Sequence, residues 1–313
     1  MKTEYNHRLT FFLGICGILL LALIAQPALA LTFPLPPNGD VVGDVKKVKV
    51  KAGETLVDVG RRHGIGRGEM MVANPGLHPN QQLGSSKKLV IPSQFVLPPG
   101  SREGIVINLA EFRLYYYPPG QNIVVTQAVG IGREGVDGWQ TPTGVTEVTG
   151  KQKDPPWRPP ESVRKEAARS GNPIPKYFPP GKNNPLGGYV LRLGWPAYLI
   201  HGTNRPSGVG SRVSAGCVRM FPEGIEELYS MVAVGTKVRV MNEPFKSGWL
   251  NGKLYFEAHR PLIEERDKYQ ADMAVVVNTV HSVAQSNDTY IKWSVVESSA
   301  NSFSGVPAVI GHR

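Results

Sequence analysis

Two neighbouring segments rich in β-branched and aromatic residues limit the possible folds most strongly. They read IVINLAEFRLYYY (105–117) and NIVVTQAVGIG (122–132), and Pro118-Pro119-Gly120 separates them. Because such residues favour strands and a Pro-Pro-Gly sequence favours a turn, the two segments predict a hairpin. Further strands are predicted at 188–194, 197–202 and 236–241.

These strands predict a mostly antiparallel β domain, a β-sandwich, over residues 102–241. One short helix interrupts it, because Pro222 suits a helix start, Leu228 and Val232 share a face, and Gly235 follows. Glycine (35) and proline (27) make up 62 of the 313 residues, and this content favours a loop-rich β fold over a helical bundle. The expected fold class is mainly β or α+β, with more than one domain.

Charge and cysteine content exclude several classes of protein. The net charge is +10, but lysine and arginine are dispersed, so the chain lacks the basic block of a nucleic-acid-binding arm. Cys16 and Cys217 are the two cysteines, which is too few for a disulfide scaffold or a cysteine-cluster zinc site.

Residues 1–30 have the pattern of a secretory signal peptide. Lys2 and Arg8 precede an apolar run over 9–25, and the segment ends in QPALA at Ala30. A charged start, a short apolar stretch and an A-x-A end predict cleavage after Ala30 rather than a membrane anchor. The expected product is exported to the periplasm or cell envelope, has no membrane span, and keeps Cys217 as its single thiol.

Residues 45–93 predict a β-α-α-β unit. Val48 and Val50 alternate with lysines in a first strand, and Thr55 is placed to cap a helix that buries Leu56, Val57 and Val59. A second helix over 67–73 would stop at Asn74-Pro75-Gly76, and KKLVIP would close the unit as a strand.

This unit resembles the LysM family through Val50, Gly53-Glu54-Thr55, Asn74-Pro75-Gly76 and Leu89-Val90-Ile91-Pro92. The resemblance implies binding to the N-acetylglucosamine-containing glycan of cell walls. A spacer domain that binds nothing remains the alternative, since the Gly- and Arg-rich stretch GRRHGIGRGE has weak helix propensity.

Two proline-rich segments flank or interrupt the β domain. Residues 93–103 (SQFVLPPGSRE) are predicted as a linker by their prolines and Gly100. Residues 151–185 contain nine prolines and a predicted helix over 161–170. A long insertion of this kind favours an active-site lid, with a surface decoration as the alternative.

The residues that carry chemistry are concentrated in HGTNRPSGVGSRVSAGCVRM (201–220). A thiol needs a base to become an effective nucleophile, and His201 can take the proton of Cys217 and return it to a leaving amine. Gly202 keeps the backbone compact after the histidine. Gly216 permits a sharp turn, so that the N–H groups of 216–217 would face a developing oxyanion. A buried cysteine and an unrelated histidine are the alternative.

The pattern HGT…S-x-G-C-x-R resembles the L,D-transpeptidase (YkuD) family, and Thr141-Pro142-Thr143-Gly144, the PPW segment at 155–157 and Asn184-Pro185-Leu186-Gly187 support the resemblance. It implies a β-sandwich catalytic domain with Cys217 as nucleophile and His201 as proton shuttle. The orienting carbonyl of the family would fall on Gly202, and Ser214 and Gly216 on its oxyanion or substrate-binding motif. No metal or organic cofactor is implied.

Three neighbouring positions leave alternatives open. Ala215 stands where many members have a second histidine, so His201 is the one histidine near the thiol in sequence. Arg219 suits either a stem-peptide carboxylate or a bracing role on backbone carbonyls. Tyr189 and Trp157 are candidate pocket walls, although aromatic residues are more often part of a core.

Residues 242–313 predict a small C-terminal subdomain of unknown role. A hairpin with its turn at Asn251-Gly252 is expected first, and a helical stretch follows over 265–284.

The resemblance implies a peptidoglycan L,D-transpeptidase that acts in cell-wall organisation and cell shape. Cys217 would be acylated by a stem tetrapeptide, and the acyl group would pass to a second stem peptide, giving a 3-3 crosslink, or to a wall-anchored lipoprotein. An L,D-carboxypeptidase or hydrolase, with water as acceptor, is one alternative. A catalytically weak wall-binding protein is the other.

Overall fold

The computed structural model describes residues 30–136, 138–270, 273–284 and 289–313. The strands are β1 (Leu31–Pro34), β2 (Val41–Lys49), β3 (Lys88–Val96), β4 (Gly104–Asn108), β5 (Arg113–Tyr117), β6 (Ile123–Gly132), β7 (Gly144–Lys153), β8 (Tyr189–Leu193), β9 (Leu199–His201), β10 (Arg212–Ser214), β11 (Val218–Met220), β12 (Lys237–Met241), β13 (Phe245–Leu250), β14 (Lys253–Ala258), β15 (Tyr290–Ile291) and β16 (Ala308–His312). The α-helices are α1 (Leu56–Arg62), α2 (Arg67–Ala73), α3 (Glu161–Arg169), α4 (Pro222–Met231), α5 (Arg266–Gln270), α6 (Ala274–Val283) and α7 (Trp293–Ser302).

The predicted signal peptide lies outside the described residues except for Ala30. Among the helices of the described segments, none has the length and apolar character needed to cross a bilayer.

The segment 105–117 forms two strands rather than the predicted one. The chain reverses at 109–112, where the Phe112 N–H donates to the Leu109 carbonyl (3.1 Å) and Phe112 has a φ of 56°. β4, β5 and β6 therefore form a three-stranded meander with antiparallel pairing. The single-strand prediction was wrong because neither glycine nor proline marks this first turn.

The β domain is a two-layered sheet that closes on itself. Its strand order is β6-β11-β9-β8-β7-β12-β4-β5, and β5 pairs again with β6. The two longest strands belong to both layers: β6 pairs with β5 up to Ala128 and with β11 from Val129, and β7 changes partner from β12 to β8 between Glu147 and Val148. The layers of the predicted sandwich are thus joined by hydrogen-bonded strands, with the apolar core between them.

The unit over 41–96 has the predicted β-α-α-β order. Thr55 caps α1 as expected: its Oγ1 accepts from the Asp58 N–H (3.2 Å), while Asp58 Oδ2 accepts from the Thr55 N–H (2.9 Å). β2 and β3 pair antiparallel from Val41↔Val96 to Lys49↔Lys88, so the strands extend beyond the predicted limits of 45 and 93.

Residues 93–103 are not the linker that the prolines predicted. Residues 93–96 complete β3, and Phe95 and Val96 are buried there. Leu56 and Met70 of the β-α-α-β unit share one apolar cluster with Tyr115 and Tyr117 of β5. The unit therefore packs directly on the β domain, and β1 extends the sheet of that domain by pairing with β6.

The C-terminal part folds around a four-stranded sheet in the order β13-β14-β16-β15, with α6 and α7 against it. The expected hairpin is present, and Asn251 and Gly252 at its turn have φ values of 50° and 75°. The helical stretch contains a 3₁₀ turn over Ile263–Glu265, then α5 and α6.

A buried ionic cluster joins these three parts. Lys246 Nζ lies 2.9 Å from Glu111 Oε1 and 3.0 Å from Glu257 Oε1. Glu257 Oε2 accepts from the Val96 N–H (2.6 Å), and Lys246 donates to the Val96 carbonyl. Strand β3, the β domain and the C-terminal sheet thus meet in one polar network shielded from solvent.

Candidate active site

A cavity of about 390 Å³ lies between the sheet and the insertion 151–185. The insertion contributes Trp157, Pro160, Ser162, Val163 and Pro185 to its lining. The sheet side contributes Leu199, His201, Ser214, Cys217 and Arg219. The insertion is therefore one wall of the cavity, as a lid would be, and not a separate surface decoration.

Asn184 holds the insertion in shape. Its Nδ2 donates to the carbonyls of Pro155 (2.8 Å) and Pro179 (3.1 Å), and its Oδ1 accepts from the Leu186 N–H (2.9 Å). Prolines have no N–H, so a buried amide side chain supplies the hydrogen bonds that a proline-rich backbone cannot make with itself.

Two neighbouring parallel strands present the chemically important side chains. His201 of β9 lies opposite Arg219 of β11, and Cys217 immediately precedes β11. Residues at matched positions of neighbouring strands share a face, and so do residues two apart along one strand. The imidazole, the guanidinium and the thiol therefore all point into the cavity.

Gly216 is fixed in a conformation that only glycine adopts easily. Its φ is +102°, and a Cβ atom there would lie 2.8 Å from the Tyr198 ring. Thr141 Oγ1 donates to the Gly216 carbonyl (2.8 Å) and accepts from the Gly132 N–H (3.0 Å). These contacts set the turn that leads into Cys217.

Ser214 braces the same turn from within. Its Oγ donates to the Cys217 carbonyl (2.5 Å) and accepts from the Gly216 N–H (3.2 Å). The Gly216 N–H is thus already engaged, contrary to the expectation that it faces an oxyanion. The Cys217 N–H remains as the other of the two donors predicted for that role.

His201 is buried, and its neighbour orients it. Nδ1 lies 2.6 Å from the Gly202 carbonyl oxygen. Because a carbonyl only accepts, Nδ1 carries the proton and Nε2 keeps its lone pair. Burial and the nearby Arg219 charge lower the pKa of His201 to about 3, against the effect of hydrogen bonds with the Gly202 and Leu186 backbone.

The Cys217 thiol is in a desolvated position. Its Sγ lies 3.6 Å from the Ala197 carbonyl oxygen. Burial raises the pKa of the thiol, although a hydrogen bond with the Leu199 backbone and the charge of Arg219 oppose this. At neutral pH a protonated thiol and a neutral imidazole therefore both line the cavity.

Tyr189 lies away from the cavity, contrary to expectation. Its hydroxyl donates to Glu226 Oε1 (2.8 Å), and its ring lies 4.9 Å from that of Tyr229. Only its backbone serves the site, since its carbonyl accepts from the Gly202 N–H (3.2 Å). Trp157 does line the cavity, as predicted.

Sequence reasoning missed Arg133, Trp139 and Tyr198 of the cavity lining. Arg133 follows β6 directly, and its Cζ lies 4.9 Å from the centre of the Trp139 ring. The signal for Trp139 was its place two residues before the Thr141-Pro142 motif. No comparable signal marks Arg133.

One group of side chains elsewhere has the composition of a metal site. Glu111, Glu257 and His259 offer ligand atoms within 4.8 Å of one another. The Lys246 ammonium lies within 3.0 Å of both carboxylates, however, and supplies the positive charge that a metal ion would bring.

Comparison with known proteins identifies the family. Residues 102–240 match the family model YkuD, the L,D-transpeptidase catalytic domain. The probable L,D-transpeptidase YcfS of Escherichia coli K12 is 41% identical over 291 residues, 91% of this chain and 88% of the relative. The chain belongs to the L,D-transpeptidase family.

Other relatives agree with this assignment. The probable L,D-transpeptidase ErfK/SrfK of E. coli K12 is 40% identical over 83% of this chain and 84% of its own length. Among solved structures, the catalytic domain from E. faecium L,D-transpeptidase matches with a TM-score of 0.35 and 22% identity, covering 46% of this transpeptidase and all of that domain.

Proposed function

We propose that this transpeptidase is an exported enzyme in which Cys217 forms a thioester with a peptidoglycan stem tetrapeptide. The observation that carries the proposal is the cavity that holds the thiol, a neutral imidazole with a free Nε2 and a turn pinned by Ser214 and Thr141.

The donor is the carbonyl of the third residue, a diamino acid, of the stem peptide. Sγ attacks this carbon as His201 Nε2 takes the thiol proton, and a tetrahedral oxyanion forms that the Cys217 N–H is placed to stabilise. The bond to D-Ala then breaks. His201 returns its proton to the departing amine, so that the imidazole is neutral again and the thioester remains.

An amine completes the reaction by attacking the thioester. A second stem peptide as acceptor gives a 3-3 crosslink, and a wall-anchored lipoprotein as acceptor gives an attached protein. His201 accepts the proton of the attacking amine and returns it to Sγ.

The remaining parts have proposed roles of their own. Residues 1–30 serve as a signal peptide, and 45–93 as a LysM-type module that binds wall glycan. Residues 102–241 are the catalytic domain, and 242–313 are a subdomain that supports it. The β-α-α-β order and the Thr55 capping box support the LysM assignment.

Mass spectrometry on purified disaccharide-tetrapeptides tests the reaction. We expect an acyl-enzyme that carries the tripeptide on Cys217, and dimers that have lost one D-Ala. Cys217→Ala is expected to abolish both products with an unchanged melting temperature, because no other thiol follows residue 30.

Two outcomes would contradict the proposal. Dimers formed by the Cys217→Ala protein would exclude this nucleophile. Free tripeptide as the single product, even with excess acceptor present, would identify water as the acceptor and the protein as an L,D-carboxypeptidase.

A further inference from the structure

Arg219 places a guanidinium in the cavity, where the described part of the chain offers it no partner. Its Nε is buried and makes no hydrogen bond, and among the residues that the structure describes its side chain forms no salt bridge. Arg212, in the same loop region, shows the ordinary arrangement, with paired bonds to Glu264 of 2.6 and 2.7 Å. Buried guanidinium N–H groups normally have an acceptor, so the missing partner of Arg219 indicates a ligand.

The bracing role considered for Arg219 has no support in its contacts. A brace requires backbone carbonyls within hydrogen-bond distance, as when Arg239 donates to the Pro99 carbonyl (2.7 Å). Within the described segments, Arg219 makes no such bond. The carboxylate alternative therefore remains.

A second arginine lines the same cavity. The pKa of the Arg219 guanidinium is lowered by burial and by repulsion from Arg205 and Arg133. Arg133 lines the cavity, and its guanidinium lies against Trp139. Among the described lining residues, Arg133 and Arg219 carry positive charge and none is acidic.

The position of Arg219 in the chain places its positive charge close to Cys217, the proposed nucleophile. It lies in β11, two residues after Cys217, which corresponds to about 7 Å of extended chain, and both residues line the cavity. A carboxylate one or two residue lengths from the scissile carbonyl is therefore within reach of the guanidinium while Sγ attacks.

We propose that Arg219, with Arg133, binds a free carboxylate of the donor stem peptide. The group is either the side-chain carboxylate of the diamino acid or the terminal carboxylate of D-Ala. A guanidinium fork suits a carboxylate because it offers two parallel N–H donors. The identity of the donor rests on the proposed function, whereas the anion site itself does not.

A pair of alkylating reagents tests the anion site without any turnover. Iodoacetate and iodoacetamide both transfer a two-carbon group to Sγ with loss of iodide, and they differ in one negative charge. We expect the ratio of their rates on Cys217 to exceed that on N-acetylcysteine amide at the same pH. Taking the ratio cancels any change in the thiolate fraction.

Variants assign the effect to named residues. Arg219→Gln is expected to lower the ratio on the order of 10-fold or more, and Arg133→Gln, at an exposed position, to lower it by a smaller factor. Arg192→Gln is the matched control, since Arg192 is an exposed arginine of β8 outside the cavity lining. An unchanged ratio in both Arg219→Gln and Arg133→Gln would overturn the proposal.

Modified donors distinguish the two carboxylates. One tetrapeptide has its diamino acid amidated at the side-chain carboxylate, and the other ends in D-Ala amide. With the wild-type enzyme, we expect kcat/KM for one of these two donors to be about 10- to 100-fold lower than for the parent tetrapeptide. With Arg219→Gln, which already lacks the guanidinium, the same amidation should lower kcat/KM little further. Arg219→Lys keeps the charge without the fork and should recover part of the activity.

Failure of this inference can be told apart from failure of the proposed function. If both amidated donors react like the parent tetrapeptide, crosslinking stands and the carboxylate site is refuted. If no donor reacts but the alkylation ratio depends on Arg219, the anion site stands and the proposed reaction is refuted.

Discussion

At the scale of single residues, the important feature is that the thiol and the imidazole are both neutral. Burial disfavours the thiolate of Cys217 and the imidazolium of His201, and the Arg219 charge adds to the second effect. In the proposed reaction the proton moves only when Sγ attacks, so the pair differs from a preformed thiolate–imidazolium pair. The Gly202 carbonyl keeps Nε2 unprotonated and ready for the proton.

The family resemblance implies that a carbapenem acylates Cys217, and the arrangement predicts an unusual pH profile for this reaction. The basic form of His201 persists down to its lowered pKa of about 3, so no acid limb is expected near the ordinary imidazole pKa of about 6.5. His201→Ala should lower the rate on the order of 10²–10⁴-fold and regain part of it as rising pH forms thiolate.

The exposed histidine of the β-α-α-β unit, His78, provides the control. His78→Ala should leave both the rate and the profile unchanged. An inflection between pH 6 and 7 in the wild type that disappears in His201→Ala would show that His201 titrates normally, in contradiction to the structure.

At the scale of elements, helix α2 braces the loop that connects β9 to β11. The N–H groups of a first helical turn have no partner within the helix. Here the Arg67 N–H donates to the Val209 carbonyl (3.0 Å), and the Gly68 N–H donates to the Gly210 carbonyl (3.1 Å). The β-α-α-β unit thus contacts the segment between His201 and Cys217 directly.

Gly210 offers a test of this brace. Its φ is +83°, and a Cβ atom would lie 2.5 Å from Arg67 N, whereas Gly235 has a φ of +86° and nothing within 4 Å. Both alanine variants carry the cost of left-handed backbone, about 1–2 kcal/mol, but only Gly210→Ala also separates α2 from the loop.

We therefore expect Gly210→Ala to slow carbapenem acylation of Cys217 and to lower the melting temperature more than Gly235→Ala does. Stopped-flow fluorescence and calorimetry measure the two effects. Equal behaviour of the two variants would show that the contact of α2 with the loop has no influence on the site.

The features that were best predicted from the sequence are those that a few adjacent residues determine. The Thr55 cap, the bounds of α2, the start of α4 at Pro222 and the Asn251-Gly252 turn all depend on a few adjacent residues, and the structure contains each of them. The pairing of His201 with Arg219 across β9 and β11 depends on strands distant in sequence, as does the closure of the sheet. No local pattern specifies these contacts.

The wrong predictions for residues 93–103 and for Tyr189 also arise from contacts between residues distant in sequence. The proline-rich segment 93–103 was interpreted from its composition, but Val96 is buried by residues some 150 positions away, Lys246 and Glu257. Tyr189 was assigned to the pocket because it is aromatic, and its partner Glu226 lies on α4.

At the scale of the whole molecule, the three parts share interfaces that a tethered arrangement would lack. Glu69 of α2 pairs with the buried Arg113 of β5 (2.6 Å), and Arg61 of α1 pairs with Glu223 at the start of α4 (2.7 Å). Together with the Lys246 cluster, these contacts predict that the parts unfold in one transition.

Lys246→Met tests how strongly the association of the three parts depends on the Lys246 ammonium at the centre of the buried ionic cluster. The variant removes the cation that two buried carboxylates share, which we expect to cost about 3–5 kcal/mol of unfolding free energy. Lys237→Met removes an exposed pair with Glu103 (2.6 Å) and should lower the unfolding free energy far less, because surface ion pairs contribute little to stability.

Urea unfolding followed by tryptophan fluorescence and by circular dichroism measures both variants. Coincident curves for the two probes are expected in the wild type. A separate early transition of the C-terminal part in the wild type, or equal costs for the two variants, would contradict a cooperative junction.

The protonation state of Cys217 also affects how fast the thiol is lost to oxidation. Peroxides and disulfides oxidise the thiolate form, so a thiol kept protonated by burial reacts slowly with both. A sulfenic acid at this position would have no second cysteine beyond residue 30 to resolve it, and further oxidation would be irreversible. The desolvation that keeps the thiol protonated therefore also slows chemical ageing of the enzyme.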